Sequence, residues 1–273
     1  VKTFALALGA GGARGLAHIA IVEALDEMGV KPVAIAGSSI GAVIGAGYAA
    51  GMTGRAMRRH IISLAHNRTE ILRRVMGARA VAWSEILGAG FGNPLVVDAA
   101  KFCDAFIADL APENFSDLQI PLTLMATDLH ARTPVVFTEG RLKPAVAASM
   151  AVSGLVRPIE IDGRVLVDGG AVDPLPFGVL RGKADVILAV DVSGGLAEGQ
   201  GVPDPWESLF ATITVMSHTI VTEKLKSGAP DLVVRPNIGI FRMLDFFQAS
   251  AILRAAEPAK AEVKEKLGAL LVG

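Results

Sequence analysis

Twice in the first 41 residues an apolar run stops at a glycine-containing turn and a helical pattern begins beyond it. Thr3 to Leu8 reads as a buried strand closed by Gly9-Ala10-Gly11-Gly12. Ile19, Val22, Leu25 and Met28 then recur every three residues, a helix face that Gly29 ends. Val33 to Ala36 is a second short strand, and after Gly37-Ser38-Ser39 a helix of small residues runs to about Ala50. This alternation of strand, turn and helix is the grammar of a layered α/β fold with a parallel sheet.

The rest of the chain extends that pattern. Leu122 to Ala126 and Val135 to Phe137 read as neighbouring strands, and Ile159 to Val167 alternates around Asp162-Gly163, a strong hairpin signal. Asp185 to Val192 and Leu232 to Val234 complete an expected sheet of six or seven strands. Gly88 to Pro94 reads as a loop and Ala99 to Leu110 as a helix. The helical patterns from Trp206 to Leu225 and from Met243 to Leu253 should pack on the sheet, and Pro258 should open a final helix. No repeat or linker interrupts residues 1–273, so a single domain is expected.

Composition removes several classes. The chain is 52% hydrophobic and 19% charged, which excludes a disordered or collagen-like protein. Its single cysteine, Cys103, excludes a disulfide scaffold and a Cys-only zinc site. A net charge of −1 gives no footprint for a nucleic-acid partner. Pro32 to Gly54 holds 23 uncharged residues, long enough to cross a bilayer, but six of them are glycine and none is leucine, which fits a closely packed interior helix better. No secretory leader is read at Val1-Lys2-Thr3-Phe4, and the cytosol is the expected compartment.

Two turns and one acid carry the chemistry. A glycine loop between a strand and a helix suits either a dinucleotide pyrophosphate or an oxyanion, because both need free backbone N–H groups. The dinucleotide reading also wants an acid at the end of the second strand, where this chain has Ala34-Ile35-Ala36-Gly37. Gly37-Ser38-Ser39-Ile40-Gly41 matches the G-x-S-x-G nucleophile turn, with Ser39 central and Ser38 off-centre. A nucleophilic serine needs a base. The histidines are 18, 60, 66, 130 and 218, and only His218 comes late in the chain, inside a helical pattern, so a Ser-His-Asp triad is poorly supported. Asp168 in Leu166-Val167-Asp168-Gly169-Gly170 ends an apolar strand, and burial there would raise its pKa toward that of a useful base.

Taken together, Gly11-Gly12-Ala13-Arg14-Gly15, the Gly37–Gly41 turn and Asp168-Gly169-Gly170 resemble the patatin-like phospholipase family in order and separation. Ala126-Thr127-Asp128-Leu129 and the run from Ala148 to Gly154 are similar to family segments too, so the resemblance spans a core of about residues 4–184. Residues 185–273 would add helices and a strand to the same sheet. The resemblance implies a three-layer α/β/α sandwich with a mostly parallel sheet, and a Ser-Asp dyad with Ser39 as nucleophile and Asp168 as general base. It also implies an oxyanion hole at Gly11, Gly12 and Ala13, steadied by Arg14, and hydrolysis of lipid acyl esters with no metal or cofactor. Ala10 stands where the family often has glycine, and alanine tolerates positive φ poorly. A nucleotide-binding α/β protein and a non-catalytic regulatory relative of the same fold remain the alternatives.

Arg55 to Arg79 carries seven arginines and one glutamate among apolar residues. It reads as a solvated helical surface, a cover over the cleft, or a peripheral contact with an anionic inner-membrane surface. Trp83, Phe91, Phe241, Phe246 and Phe247 read as core, and Lys143, Asp128 and His130 as surface or turn residues. Asp191 and Cys103 read as structural.

Overall fold

A computed structural model describes residues 2–66, 112–194 and 202–273. The expected loop at Gly88–Pro94, the helix at Ala99–Leu110 with Cys103, Trp83, Phe91 and the arginines from Arg68 to Arg79 lie outside the described residues. The strands are β1 (Phe4–Leu8), β2 (Ala34–Ser38), β3 (Leu122–Asp128), β4 (Thr133–Phe137), β5 (Ile159–Ile161), β6 (Arg164–Asp168), β7 (Val186–Val190) and β8 (Leu232–Val234). The described helices are α1 (His18–Met28), α2 (Ile40–Ala49), α3 (Gly54–His66), α4 (Leu142–Ser149), α5 (Pro205–Ser227), α6 (Ala249–Ala255) and α7 (Glu257–Val272).

All eight strands join one sheet, one or two more than expected, because both short arms of the 159–168 hairpin pair into it. Its hydrogen-bonded order is β5-β6-β3-β2-β1-β7-β8, with β4 on β3. β8, β7, β1, β2 and β3 are mutually parallel, whereas β4, β5 and β6 form an antiparallel extension. The side chains of β1 alternate between two cores, as a strand buried on both faces must. Leu6 and Leu8 meet the layer that includes α1, α2, α4, α6 and α7. Ala5 and Ala7 meet the 175–180 segment and Val221 of α5. Those alanines, with Ala34, Ala36 and Ala189, keep the second face shallow enough for an irregular segment and one long helix to close it. The result is a three-layer α/β/α arrangement.

Local signals in the sequence explain the element ends. Gly29 takes a left-handed φ of 68° and stops α1. Asp204 caps α5 by accepting from the N–H groups of Trp206 and Glu207, with Pro205 in the first turn. Asp162 and Gly163 both adopt positive φ, 52° and 72°, as a two-residue hairpin requires. The 243–253 stretch is helical only from Ala249, after a short 3₁₀ turn over Phe246–Gln248. Pro32–Gly54 forms β2 and α2 in the core, and among the described residues no helix is long and apolar enough to cross a membrane. In α3, Arg55 and Arg59 are exposed, while Arg58 pairs with Glu23 of α1 at 2.6 Å and with Glu257 of α7.

One feature of the register sets the site. β2 pairs Ser38 with Met125 of β3, and β6 pairs Asp168 with Ala126, the next residue along. β4 runs beside β3 from Leu124 to Asp128, so it occupies one edge and leaves the other to β2 and β6. The two strands therefore meet head to head along that edge.

Candidate active site

β2 continues through Ser38, and the chain turns sharply at Ser39, whose φ of 56° and ψ of −125° are strained for a side-chain-bearing residue. The flanking glycines make that turn feasible. A Cβ on Gly41 would lie 2.2 Å from the Leu8 carbonyl oxygen, and one on Gly37 would lie 2.5 Å from that of Gly41. Ser39 N–H donates to Ser149 Oγ at 3.0 Å, which holds the turn against the end of α4. Ser38 is wholly buried, and its hydroxyl has no partner among the described residues, which agrees with its off-centre place in the motif.

Ser39 Oγ donates to Asp168 Oδ2 at 2.6 Å across 129 residues of sequence. Asp168 is anchored on three sides. Its Oδ1 accepts from Gly170 N–H at 2.7 Å, its carbonyl accepts from Thr127 Oγ1 at 2.8 Å, and its N–H donates to the Ala151 carbonyl. Gly169 is required because a Cβ there would lie 2.2 Å from the Met125 carbonyl and 2.8 Å from Ser38 Oγ. Burial pushes the Asp168 carboxyl up to about 6, against the lowering effect of its bonds from Ser39 and Gly170.

The glycine loop lies across from this pair. The N–H groups of Gly11 and Gly12 have no acceptor among the described residues. Gly12 takes φ of 59°, and a Cβ there would lie 2.4 Å from the Met243 carbonyl. A Cβ on Gly15 would lie 2.0 Å from Ile40 Cγ2, so this glycine lets the loop nest on the serine turn. Ala13 departs from the expectation, since its N–H donates to the Met243 carbonyl at 2.8 Å and is occupied. Ala10 is absent from the residues with positive φ, so alanine fits there without strain, and its N–H donates to the Pro174 carbonyl. Arg14 is buried; its Nε donates to the Gly11 carbonyl at 3.4 Å, and its guanidinium reaches Thr214 of α5 at 3.2 Å.

Sequence reasoning passed over His18, Ser149 and Met243. His18 is fully buried, with Nε2 2.8 Å from the Gly9 carbonyl, so that nitrogen must carry the proton. Burial lowers its pKa to about 4, against the raising effects of that carbonyl and Asp191, and the neutral ring pins the start of the loop. The signal available was a polar residue at the head of an otherwise apolar helix face. Asp191, read as structural from the sequence, pairs with Arg235 at 3.0 Å and accepts from Ser193. His218 is exposed on α5.

Two clefts converge on Ser39. The larger encloses about 720 Å³ including its open mouth, and Gly11, Arg14, Ser153, Asp168, Ser193 and Thr214 are among its lining residues. The smaller encloses about 380 Å³ on the same basis, and among the described residues that line it Ser39 alone has a polar side chain. Among the described residues no group of three or more acidic, histidine or cysteine side chains could hold a metal ion.

Fold and site together define an α/β protein with a strained serine turn, a carboxylate on its hydroxyl and an amide-rich loop beside it. The family model described as Patatin-like phospholipase matches residues 6–181, and the chain belongs to the patatin-like phospholipase family. An uncharacterised NTE family protein of Mycobacterium tuberculosis is 40% identical over 194 residues, 71% of this chain and 50% of that protein. The human patatin-like phospholipase domain-containing protein 6 is 33% identical over 90% of this chain and 19% of its own length. Lysophospholipase NTE1 of Coccidioides immitis is 28% identical over 97% of this chain and 18% of its own length. The chain thus spans half or less of these relatives. The crystal structure of VipD from Legionella pneumophila shares the fold, with a TM-score of 0.52 at 13% identity over 97% of this chain and 66% of that one.

Proposed function

We propose that this chain is a serine hydrolase of lipid acyl esters, acting on phospholipids, lysophospholipids or acylglycerols through Ser39 and Asp168 without a histidine. The observation that carries the reading is the 2.6 Å bond from Ser39 Oγ to Asp168 Oδ2 at a strained turn. The pKa of about 6 brings Asp168 nearer to neutrality than an ordinary carboxylate, which suits a general base. Family membership and the name of the lysophospholipase relative support a lipid substrate.

In this reading Ser39 Oγ attacks the ester carbonyl as its proton passes to Asp168 Oδ2. The tetrahedral oxyanion accepts from the N–H groups of Gly11 and Gly12. Collapse expels the alcohol, which takes the proton from Asp168 and leaves an acyl-serine. Water then attacks the acyl group, Asp168 takes the water proton, and a second collapse returns that proton to Ser39 and frees the fatty acid. The exposed Arg55 and Arg59 of α3 offer positive charge toward an anionic lipid surface.

A fluorophosphonate probe tests the assignment directly. One adduct is expected on folded protein, and peptide mapping should place it on Ser39. Absence of labelling, or an adduct elsewhere, overturns the reading.

A further inference from the structure

Two hydrogen bonds, one from each member of the Ser-Asp pair, end on a single turn of chain. The N–H of Ser39 donates to Ser149 Oγ at 3.0 Å, and the N–H of Asp168 donates to the Ala151 carbonyl at 3.0 Å. Ser149 closes α4, Ala151 lies two residues further on, and both are wholly buried. The end of a helix is a ready source of acceptors, because its last carbonyls have no partner along the helix.

The turn is firmly built. Met150 N–H donates to the Val146 and Ala147 carbonyls at 3.1 and 3.2 Å, Ala151 N–H to that of Ala148 at 3.3 Å, and Val152 N–H to that of Met150 at 2.7 Å. α4 packs on β3, β6 and α2, so it touches the strand that ends in Asp168 and the helix that follows Ser39. Ser39 holds φ of 56° and ψ of −125°, a conformation that lasts only where its surroundings enforce it. The peptide that enters this strained residue is fixed by the Ser149 hydroxyl. Ser38 is as buried as Ser149, yet its hydroxyl has no partner among the described residues, which makes it a control within the same turn.

We propose that the end of α4 is a bracket that sets the distance between nucleophile and base, and that Ser149 is a positioning residue for Ser39. The proposal rests on the hydrolase reading above and deepens it. Ser149 touches neither substrate nor the reacting oxygen. It acts through the backbone of Ser39, and Ala151 acts in the same way on Asp168. Loss of the Ser149 acceptor releases the Ser39 turn and loosens the bond from Ser39 Oγ to Asp168. That bond lowers the Asp168 pKa against burial, and Gly170 N–H is the other lowering influence on it. Loosening it therefore moves the carboxyl upward from about 6.

The test compares the whole chain with four variants, using p-nitrophenyl butyrate, a fluorophosphonate probe and a carbon-13 NMR titration of the Asp168 carboxyl. Ser149→Ala should lower kcat and the labelling rate by about tenfold or more, with KM within about twofold of the parent. The midpoint of kcat/KM against pH, and the NMR midpoint of Asp168, should both rise by about half a unit or more. Ser149→Thr keeps the hydroxyl and should recover rates and midpoints. Ser149→Cys keeps the volume with a feebler acceptor and should repeat the alanine losses, so the outcome stands even if the alanine variant misfolds. Ser38→Ala should leave rates within about twofold and the midpoint in place. A folded Ser149→Ala protein with unchanged rates and midpoints overturns the bracket, even if its melting temperature falls. Equal losses in Ser38→Ala overturn it too. Absence of labelling in the parent overturns the hydrolase reading, and the NMR midpoint then decides the bracket without turnover.

Discussion

The nucleophile and its partner rest on unlike ground. Ser39 rises from the end of β2, inside the parallel part of the sheet, where every residue of β1, β2 and α2 is buried. Asp168 ends β6, in the antiparallel extension, whose hairpin tip Asp162-Gly163 is exposed. Around Ser39 a single added carbon meets backbone, as at Gly41 and Gly37. At the hairpin tip a Cβ on Gly163 would meet nothing within 4 Å. Strain at a nucleophile persists only where neighbours over-determine it, and the parallel layer supplies those neighbours. The carboxylate needs no strained backbone, only three anchoring bonds and a largely enclosed setting, and a short edge hairpin suffices for that.

That contrast can be broken or sharpened in order of expected effect. Ser39→Ala should lower kcat on a lipid ester by about 10⁴-fold or more without loss of fold, read by fatty-acid release beside circular dichroism. Asp168→Asn keeps the shape and removes the base, and a fall of about 10²–10⁴-fold is expected in the same assay. If the two variants are equally inactive and Ser39→Ala in the Asp168→Asn background adds nothing further, the pair acts as one unit despite its different supports. Gly41→Ala forces a Cβ onto the Leu8 carbonyl and should cost about 3 kcal/mol or prevent folding, seen in denaturant unfolding. Gly163→Ala asks only for a left-handed alanine at φ of 72° and should cost about 1 kcal/mol with turnover retained.

Titration gives a further, subtler test of the carboxylate side. Catalysis needs Asp168 ionised, so kcat/KM should rise with pH through about 6 and level off above it. Stability should move the other way. The folded carboxyl holds its proton up to about 6 and the unfolded one releases it lower, so burying the charge weakens the fold increasingly between those values and fully above them. Asp168→Asn should accordingly raise the melting temperature at pH 8 more than at pH 4, as differential scanning calorimetry would register.

The serine turn was legible because its demands are local. Glycine two residues either side of Ser39 follows from backbone contacts with Leu8 and within the turn itself. The hairpin at Asp162-Gly163 and the stop at Gly29 were equally local, each needing a left-handed residue at a fixed place. Asp168 stood out from its segment, but its pairing with Ser39 came through family resemblance, because periodicity cannot say which edge of β3 receives β6. The roles of His18, Ser149 and Met243 were hidden for the same reason. Each acts through a contact with another segment, and a helical pattern shows a face without showing what it meets. Ala13 illustrates the cost, since its amide looked available until a carbonyl 230 residues later proved to occupy it.

The meeting of β2 and β6 on adjacent residues of β3 makes that strand a ruler for the reacting groups. Its pitch sets their spacing, whatever length of chain lies between α3 and β3. Insertions or deletions in that interval can be absorbed without detuning the pair, provided both strands still dock on Met125 and Ala126. Variation in this architecture is therefore cheapest in the interval and dearest on the ruler.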